Sequence, residues 1–350
     1  MTEQIVIALD GMGGDSAPDM VVGGAARARR QMANVKFLLF GDSQRLEPLV
    51  RRHRGLAGAV EIRHTDQIVK GDDKPSVALR GARESSMRKA IDAVKAGEAA
   101  AAVSAGNTGA LMAMSKFVLK TIQGIDRPAI VRSVPTVRGL CCVLDLGANV
   151  QCSAEHLVQF AVMGEVFART VLGVERPTIG LLNIGIEEIK GHEEVREAAA
   201  MLRETPLPII FKGFIEGNDI SSGRVDVAVT DGFTGNVGLK IAEGTVKLMA
   251  SFLRDAFRSS WRARLGYLLA RPALAAMRER SDPRYYDGAI LGGLNGIVVK
   301  AHGGTDALGF SNAIGVAAEM AVNGFVPKIR DDFERLKSGA MPASDQEPVA

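Results

Sequence analysis

Two charged side chains stand where a chain of this pattern would do chemistry. Lys190 lies in "NIGIEEIKG", after an apolar strand-like run and just before a helical one. A lysine at a helix N-terminus opposes the positive end of the helix dipole, so it is expected to serve something else, an anion above all. His302 lies in "AHGGTDALG", just after the strand-like "GIVVK". An imidazole at a strand's C-terminal end can donate to an oxyanion or take up a proton near neutral pH. Glycine-rich loops recur after other strand-like runs: "DGMGGDSAP" from Asp10, "SAGNTGA" from Ser104, "DLGAN" from Asp145, "KGFIEGNDI" from Lys212 and "TDGFTGN" from Thr230. Ser104, Asn107 and Thr108, like Thr234 and Asn236, fall at helix starts. Backbone N–H groups there are unsatisfied and the dipole favours an anion. Gly13, Gly14 and Gly303 let backbone come close to a ligand. Asp10, Ser16 and Asp231 add polar side chains at strand ends; for Asp10, substrate contact and bracing of the loop are both open. Backbone donors, Asn, Thr, one Lys and one His suit the holding of phosphate and an oxyanion.

Other chemistries lack their residues. The first loop is neither G-x-G-x-x-G nor G-x-x-x-x-G-K-[ST], and no acid stands about 20 residues beyond it to hold a ribose. H-E-x-x-H and G-x-S-x-G are absent from the sequence. The three cysteines, Cys141, Cys142 and Cys152, lie in or beside an apolar strand-like run and form no C-x-x-C pair. They read as reduced, buried thiols rather than as disulfides, metal ligands or a nucleophile. No metal and no cofactor is expected.

The elements that must position these loops alternate along the chain. Strand-like runs fall at 4–9, 35–40, 59–63, 99–104, 129–134, 139–145, 178–183, 208–213, 225–230, 288–292 and 296–300. Helical patterns fall near 18–32, 43–52, 76–97, 108–122, 153–172, 191–203, 235–258, 261–280 and 305–323. This rhythm predicts an α/β fold: a doubly wound, mostly parallel sheet with helices on both faces. The runs 129–134 and 139–145, joined by "PTVRG", read as an antiparallel hairpin where a second lobe begins. In doubly wound sheets ligands gather at the carboxyl ends of strands, so the loops are expected along one sheet edge. A catalytic unit is expected over 1–337, in two lobes with a helical hairpin at 236–280. A small, polar, disordered tail is expected over 338–350.

The 350 residues are 47% hydrophobic and 24% charged, which suits a globular core. A net charge of +3 is too small to argue for nucleic acid as a partner. Between Arg254 and Arg284 eight arginines face three acids, a local balance of +5. Leu239, Ala242, Val246, Met249, Leu253 and Ala256 follow a 3-4-3-4-3 spacing, a coiled-coil seam. With a second apolar face at Ile241, Leu248 and Phe252, helix 236–258 is expected to join a homodimer. The basic, apolar segment 261–277 is expected to touch an anionic membrane or an acidic partner, and Pro272 to bend or end its helix. The N-terminus has no leader pattern, and no window is apolar enough to span a bilayer. The protein is therefore expected in the cytoplasm, with peripheral membrane contact.

Taken in order, "ALDGMGGDSAP", "SAGNTGA", "DLGAN", "NIGIEEIKG", "GFIEGNDI", "DVAVTDGFTGNVGLK" and "GGLNGIVVKAHGGTD" resemble the acyl-acyl-carrier-protein:phosphate acyltransferases (PlsX), over roughly residues 3 to 325. The resemblance implies a homodimer whose fold is similar to isopropylmalate dehydrogenase and phosphotransacetylase. It implies transfer of a fatty acyl group from acyl carrier protein to inorganic phosphate, the acyl phosphate going on to phospholipid synthesis. Phosphate then attacks the thioester directly. Lys190 would meet phosphate or the oxyanion, and His302 would act as donor or base. Asn236, Asn107, Thr108 and Thr234 would add polar contacts.

Overall fold

The computed structural model describes residues 4–338 apart from 206 and 208. Residues 339–350 of the expected disordered tail lie outside the described residues, and Ser338 closes the last helix. The chain opens as β1 (Ile5–Asp10), α1 (Asp19–Gln31), β2 (Val35–Gly41), α2 (Ser43–Arg52), β3 (Val60–His64), α3 (Pro75–Gly81), α4 (Ser86–Lys95), β4 (Ala101–Ser104) and α5 (Thr108–Leu119). The hairpin β5 (Ala129–Thr136) and β6 (Gly139–Leu144) leads into α6 (Ala154–Thr170), β7 (Thr178–Leu182), α7 (Glu193–Glu204), β8 (Ile210–Ile215), α8 (Gly217–Ser222) and β9 (Val227–Val229). Two long helices follow, α9 (Gly232–Arg258) and α10 (Trp261–Ser281). The chain then returns through β10 (Ala289–Gly292), β11 (Ile297–Lys300), α11 (Ala307–Val322) and α12 (Phe325–Ser338).

All eleven strands form one sheet, in the order β3-β2-β1-β4-β11-β10-β5-β6-β9-β7-β8. Strand residues alternate between its two covered faces, as a period of two requires. On β1, Ile7 and Leu9 join the cluster packed with Val21, Ala25, Phe310 and Ile314 of α1 and α11. Ala8 between them joins Met87, Ile91, Leu111 and Met114 of α4 and α5.

Strand direction corrects the expectation of a single loop-bearing edge. β3, β2, β1, β4 and β11 are mutually parallel. β10 is antiparallel to β11 and to β5, and β5 is antiparallel to β6. β9, β7 and β8 then run parallel to β6. Three reversals lie between the halves, so β6, β9, β7 and β8 point opposite to β3, β2, β1, β4 and β11. The loops after β1, β4 and β11 thus share one edge, and those after β6, β7, β8 and β9 the other.

The helix expected over 76–97 is two. Ser85 ends the first turn by donating to Ala82 O at 2.7 Å and caps α4 by accepting from Arg88 N at 3.2 Å, a side chain–backbone exchange that competes with a continuous helix. α10 runs through Pro272 instead of ending there. A proline forgoes a single helical N–H bond, and on an exposed helix water can take up the freed carbonyl. Only Gly232 and Gly235 of α9 are buried. Leu239 at the head of the seam packs on the core beside Val143 and Leu146, but Val246 and Met249 are open to solvent along with Ile241, Leu248 and Phe252, so the rest of the seam is left uncovered. α9 and α10 form a hairpin, closed at its turn by edge-on contact of Phe257 and Tyr267, ring centroids 5.3 Å apart.

Candidate active site

Three neighbouring strands, β1, β4 and β11, bring their C-terminal loops together. The Asp10 carboxylate is 1% exposed and accepts from Ser86 Oγ and Ser104 Oγ, both at 2.6 Å, and from Met12 N at 3.3 Å. Ser104 Oγ in turn accepts from Gly106 N at 3.0 Å. Burial holds the Asp10 carboxyl above the ordinary carboxylate range, against those donors. Asp10 therefore braces the glycine loop from beneath. Alanine at Asp10 would strand two hydroxyls and an amide in the core, an expected loss of about 3 kcal/mol, measured as a lower midpoint in thermal unfolding.

Above this brace the backbones close in. Gly14 has φ of +109°, and a Cβ there would lie 3.0 Å from Ala105 Cβ and 3.3 Å from Gly303 O. Asp15 N donates to Gly303 O at 2.9 Å, joining the β1 and β11 loops. Among the described residues, the N–H groups of Gly14 and Gly303 have no protein acceptor. Ser16 is exposed and does not cap α1, whose N-cap is Pro18. His302 is exposed at the rim, its Nδ1 accepting from Gly304 N at 3.1 Å. Asn107 caps α5 by accepting from Ala110 N at 3.0 Å. Its Nδ2 clasps the carbonyls of Lys70, Gly71 and Asp73 at 3.4, 2.9 and 2.9 Å. That amide is spent on holding the 70–73 loop over the helix start, while Thr108 beside it stays exposed.

Sequence reasoning missed what lies under this loop cluster. Lys300, 9% exposed, donates from Nζ to Ala105 O at 3.3 Å and to Ala301 O. Burial pushes its amine down to about 8, opposed by the charges of Asp287, Asp10 and Asp15. Asp287 Oδ1 accepts from His302 N at 3.0 Å and Gly288 N at 2.9 Å. Lys300 could have been found, as a cation closing an apolar strand two residues before His302. "YYDGA" around Asp287 carries no such signal.

The other edge gathers a second cluster. Asp145, fully buried, accepts at Oδ1 from Ile130 N, Gly147 N and Ala148 N and at Oδ2 from Asn149 N and Nδ2, all within 3.2 Å. Beside it α9 begins. Asp231 is its cap, accepting from Thr234 N at 2.9 Å and Thr234 Oγ1 at 2.7 Å. Asn236 is exposed next to Gly147, whose Cβ would lie 3.6 Å from Asn236 Cβ. Lys190, on the loop after β7, is exposed and held by Glu187 at 2.8 Å, an ion pair that keeps the Glu187 carboxyl low. The chain thus joins Asp10, Gly13, Gly14, Ser104, Gly303 and His302 in one cluster. Asp231, Thr234, Asn236 and Lys190 stand on the opposite edge.

Cys141 and Cys142 lie within β6, and Cys152 stands beside the Asp145 cluster, its Sγ 3.8 Å from Asn149 O. Burial pushes Cys141 up to about 12, helped by the charge of Asp226, and Cys152 up to about 11, helped by Asp145. Burial also raises Cys142 well above the ordinary thiol range. Little thiolate forms at pH 7, so iodoacetamide treatment of the native protein should leave turnover within about twofold of the untreated rate. At the end of β3, Asp42, His64 and Asp66 set metal-capable atoms within 4.8 Å of one another. That group satisfies itself: His64 Nδ1 accepts from Ser43 N at 3.2 Å, and Nε2 lies 3.2 Å from Asp66.

A family model described as "Fatty acid synthesis protein" matches residues 5–328. The chain is 60% identical over 338 residues to a phosphate acyltransferase of Rhodospirillum centenum, across 97% of this chain and 95% of that protein. It is 57% identical to a phosphate acyltransferase of Paramagnetospirillum magneticum, across 96% of each. Among solved structures it is similar to a phosphotransacetylase from Streptococcus pyogenes, with a TM-score of 0.63 at 18% identity over 92% of this chain and 95% of that one. The EutD phosphotransacetylase from Staphylococcus aureus aligns with a TM-score of 0.59 at 17% identity, over 91% and 94%. At such identities the structural likeness is one of fold.

Proposed function

Because the chain belongs to the fatty acid synthesis protein family and is a phosphate acyltransferase, we propose that it moves a fatty acyl group from acyl-acyl-carrier protein to inorganic phosphate. The product is an acyl phosphate for phospholipid synthesis. The observation that carries this is the meeting of the β1, β4 and β11 loops, where Gly14 packs against Gly303, the residue after His302, and the N–H groups of both glycines have no acceptor among the described residues. Such a nest suits an anion, and fixed donors there need no reorganisation as charge develops.

A phosphate oxygen attacks the thioester carbonyl carbon. The new O–C bond forms as the carbonyl oxygen takes the negative charge. The intermediate then collapses, the C–S bond breaks, and sulfur leaves as a thiolate. A thiol with a free pKa of about 8.5 needs little acid help to leave, so the scheme uses neither a covalent enzyme intermediate nor a metal. His302 donates to phosphate or keeps it deprotonated. Lys190, on the opposite edge of its own chain, would meet phosphate or the oxyanion once drawn off Glu187 and supplied by the second copy of a homodimer. Thr108 and Asn236 add polar contacts, and Asn107 serves through its backbone. The reaction is tested by incubating acyl-acyl-carrier protein with and without phosphate. Acyl phosphate seen by mass only with phosphate supports it; thioester loss that ignores phosphate refutes it.

The open face of α9 supports a homodimer through residues 236–258. Glutamate at both Ile241 and Leu248 should halve the mass found by analytical ultracentrifugation. Among the described residues no helix is long and apolar enough to cross a membrane. The hairpin still exposes Trp261, Leu265, Leu268 and Leu269 among arginines, which suits peripheral contact of a cytoplasmic enzyme with an anionic membrane. The same arginines offer the charge to dock acidic acyl carrier protein. Arg51–Arg54 suit this less, because α2 runs back from the β2 end and carries them away from the site edge.

A further inference from the structure

We propose that Asp287 and Lys300 are the positioning residues of the His302 loop, clamping the Ala301–His302 peptide from its two sides. This rests on the phosphate-acyltransferase scheme above for what His302 does, but the clamp itself is read from geometry alone. The carbonyl of that peptide, Ala301 O, accepts from Lys300 Nζ, and its N–H, on His302, donates to Asp287 Oδ1 at 3.0 Å. A peptide held at both polar ends cannot rotate without breaking a charge-assisted bond, and such bonds are roughly twice as strong as neutral ones. The imidazole, three bonds from that peptide nitrogen, hangs from a fixed backbone.

Both clamp residues are tied in. Lys300 also donates to Ala105 O on the β4 loop, so one ammonium sets the β11 and β4 loops against each other. Asp287 also takes Gly288 N. Gly288 has φ of +117°, and a Cβ there would lie 3.0 Å from Ala313 Cα, so the turn that presents the carboxylate needs glycine. The groups facing the ammonium are Asp287 from the segment after α10, and Asp10 and Asp15 from β1 and its loop. With burial drawing the amine down to about 8, the clamp is charged at neutral pH and loses its proton as pH rises through that value.

The test is phosphate-dependent acyl phosphate formation between pH 6 and 9.5 for wild type, Lys300→Met and Asp287→Asn. Wild type should lose kcat above pH about 8. Lys300→Met should lower kcat at least tenfold, change KM for phosphate by less than about threefold, and show no such limb. Asp287→Asn removes a carboxylate that favours the charged amine, so its limb should move to lower pH. A limb at the same pH in wild type and both variants overturns the proposal. Should a variant fail to fold, the wild-type protein still decides. Carbethoxylation of His302 relative to exposed His53, read by peptide mass, should change between pH 7 and 9 as the clamp opens. A constant ratio overturns the proposal. That ratio needs no turnover, so absence of acyl phosphate in the wild type would refute the proposed reaction and leave the clamp under test.

Discussion

Alanine at His302 is expected to lower phosphate-dependent acyl phosphate formation by about a hundredfold, the usual worth of a positioned donor or proton acceptor. Alanine at Lys190 should lower it well over tenfold. Both side chains are exposed, so their removal leaves no cavity and no stranded buried group, and unfolding midpoints should stay near wild type. His302 Nδ1 accepts from Gly304 N. In the neutral ring the proton is therefore assigned to Nε2, which is left as a donor. His302→Gln then separates the two roles. A donor can be partly replaced by a carboxamide N–H, whereas a base cannot, so partial recovery over alanine assigns donation. For Lys190 the conservative change is Lys190→Arg, which keeps the charge but not the compact ammonium. Turnover within about twofold of wild type in either alanine variant removes that residue from the scheme.

Alanine at Gly13 should do more damage than its size suggests. A Cβ there would sit 2.3 Å from Asp10 Oδ2 and 2.9 Å from Gly106 N. Neither can retreat: Oδ2 is bound by Ser104, and Gly106 N is bonded to the same hydroxyl. One methyl thus breaks the brace and pushes the β1 and β4 loops apart. Overpacking of a tight core costs about 1–3 kcal/mol, and the orphaned polar groups add to it. Thermal unfolding should fall by several degrees and turnover by well over tenfold. Gly71→Ala is the control: nothing lies within 4 Å of its Cβ position, and both readouts should hold.

The strands were legible because their runs are short, apolar and bounded by glycine, and a buried strand has few other ways to look. The hairpin of β5 and β6 was legible for the same reason, with Gly139 opening β6 just after its turn. Direction across the sheet was not. Nothing in "AILGG" or "GLCCV" states which neighbour it pairs with, and those pairings turn the second lobe over. The split at Ser85 escaped notice because periodicity runs on through a four-residue break. In the site, loops rich in glycine announced themselves, while residues that hold them did not. Asp145 ends a strand and was noted only as part of a loop. Asp287 is a single acid in an unremarkable turn, and its importance exists only once Lys300 and His302 are folded beside it.

β11 also has a consequence for synthesis. It lies between β4 and β10, yet it is made long after β4. While the ribosome works through the second lobe, the nascent first lobe has β4 as a bare edge, and the face that α11 will cover on α1 is open. Exposed edges of this kind recruit other chains, and contacts so distant in sequence form late. The nascent chain is therefore most in need of a chaperone during that interval. His302 arrives with the strand that ends it, so no fragment released early can carry a finished catalytic loop.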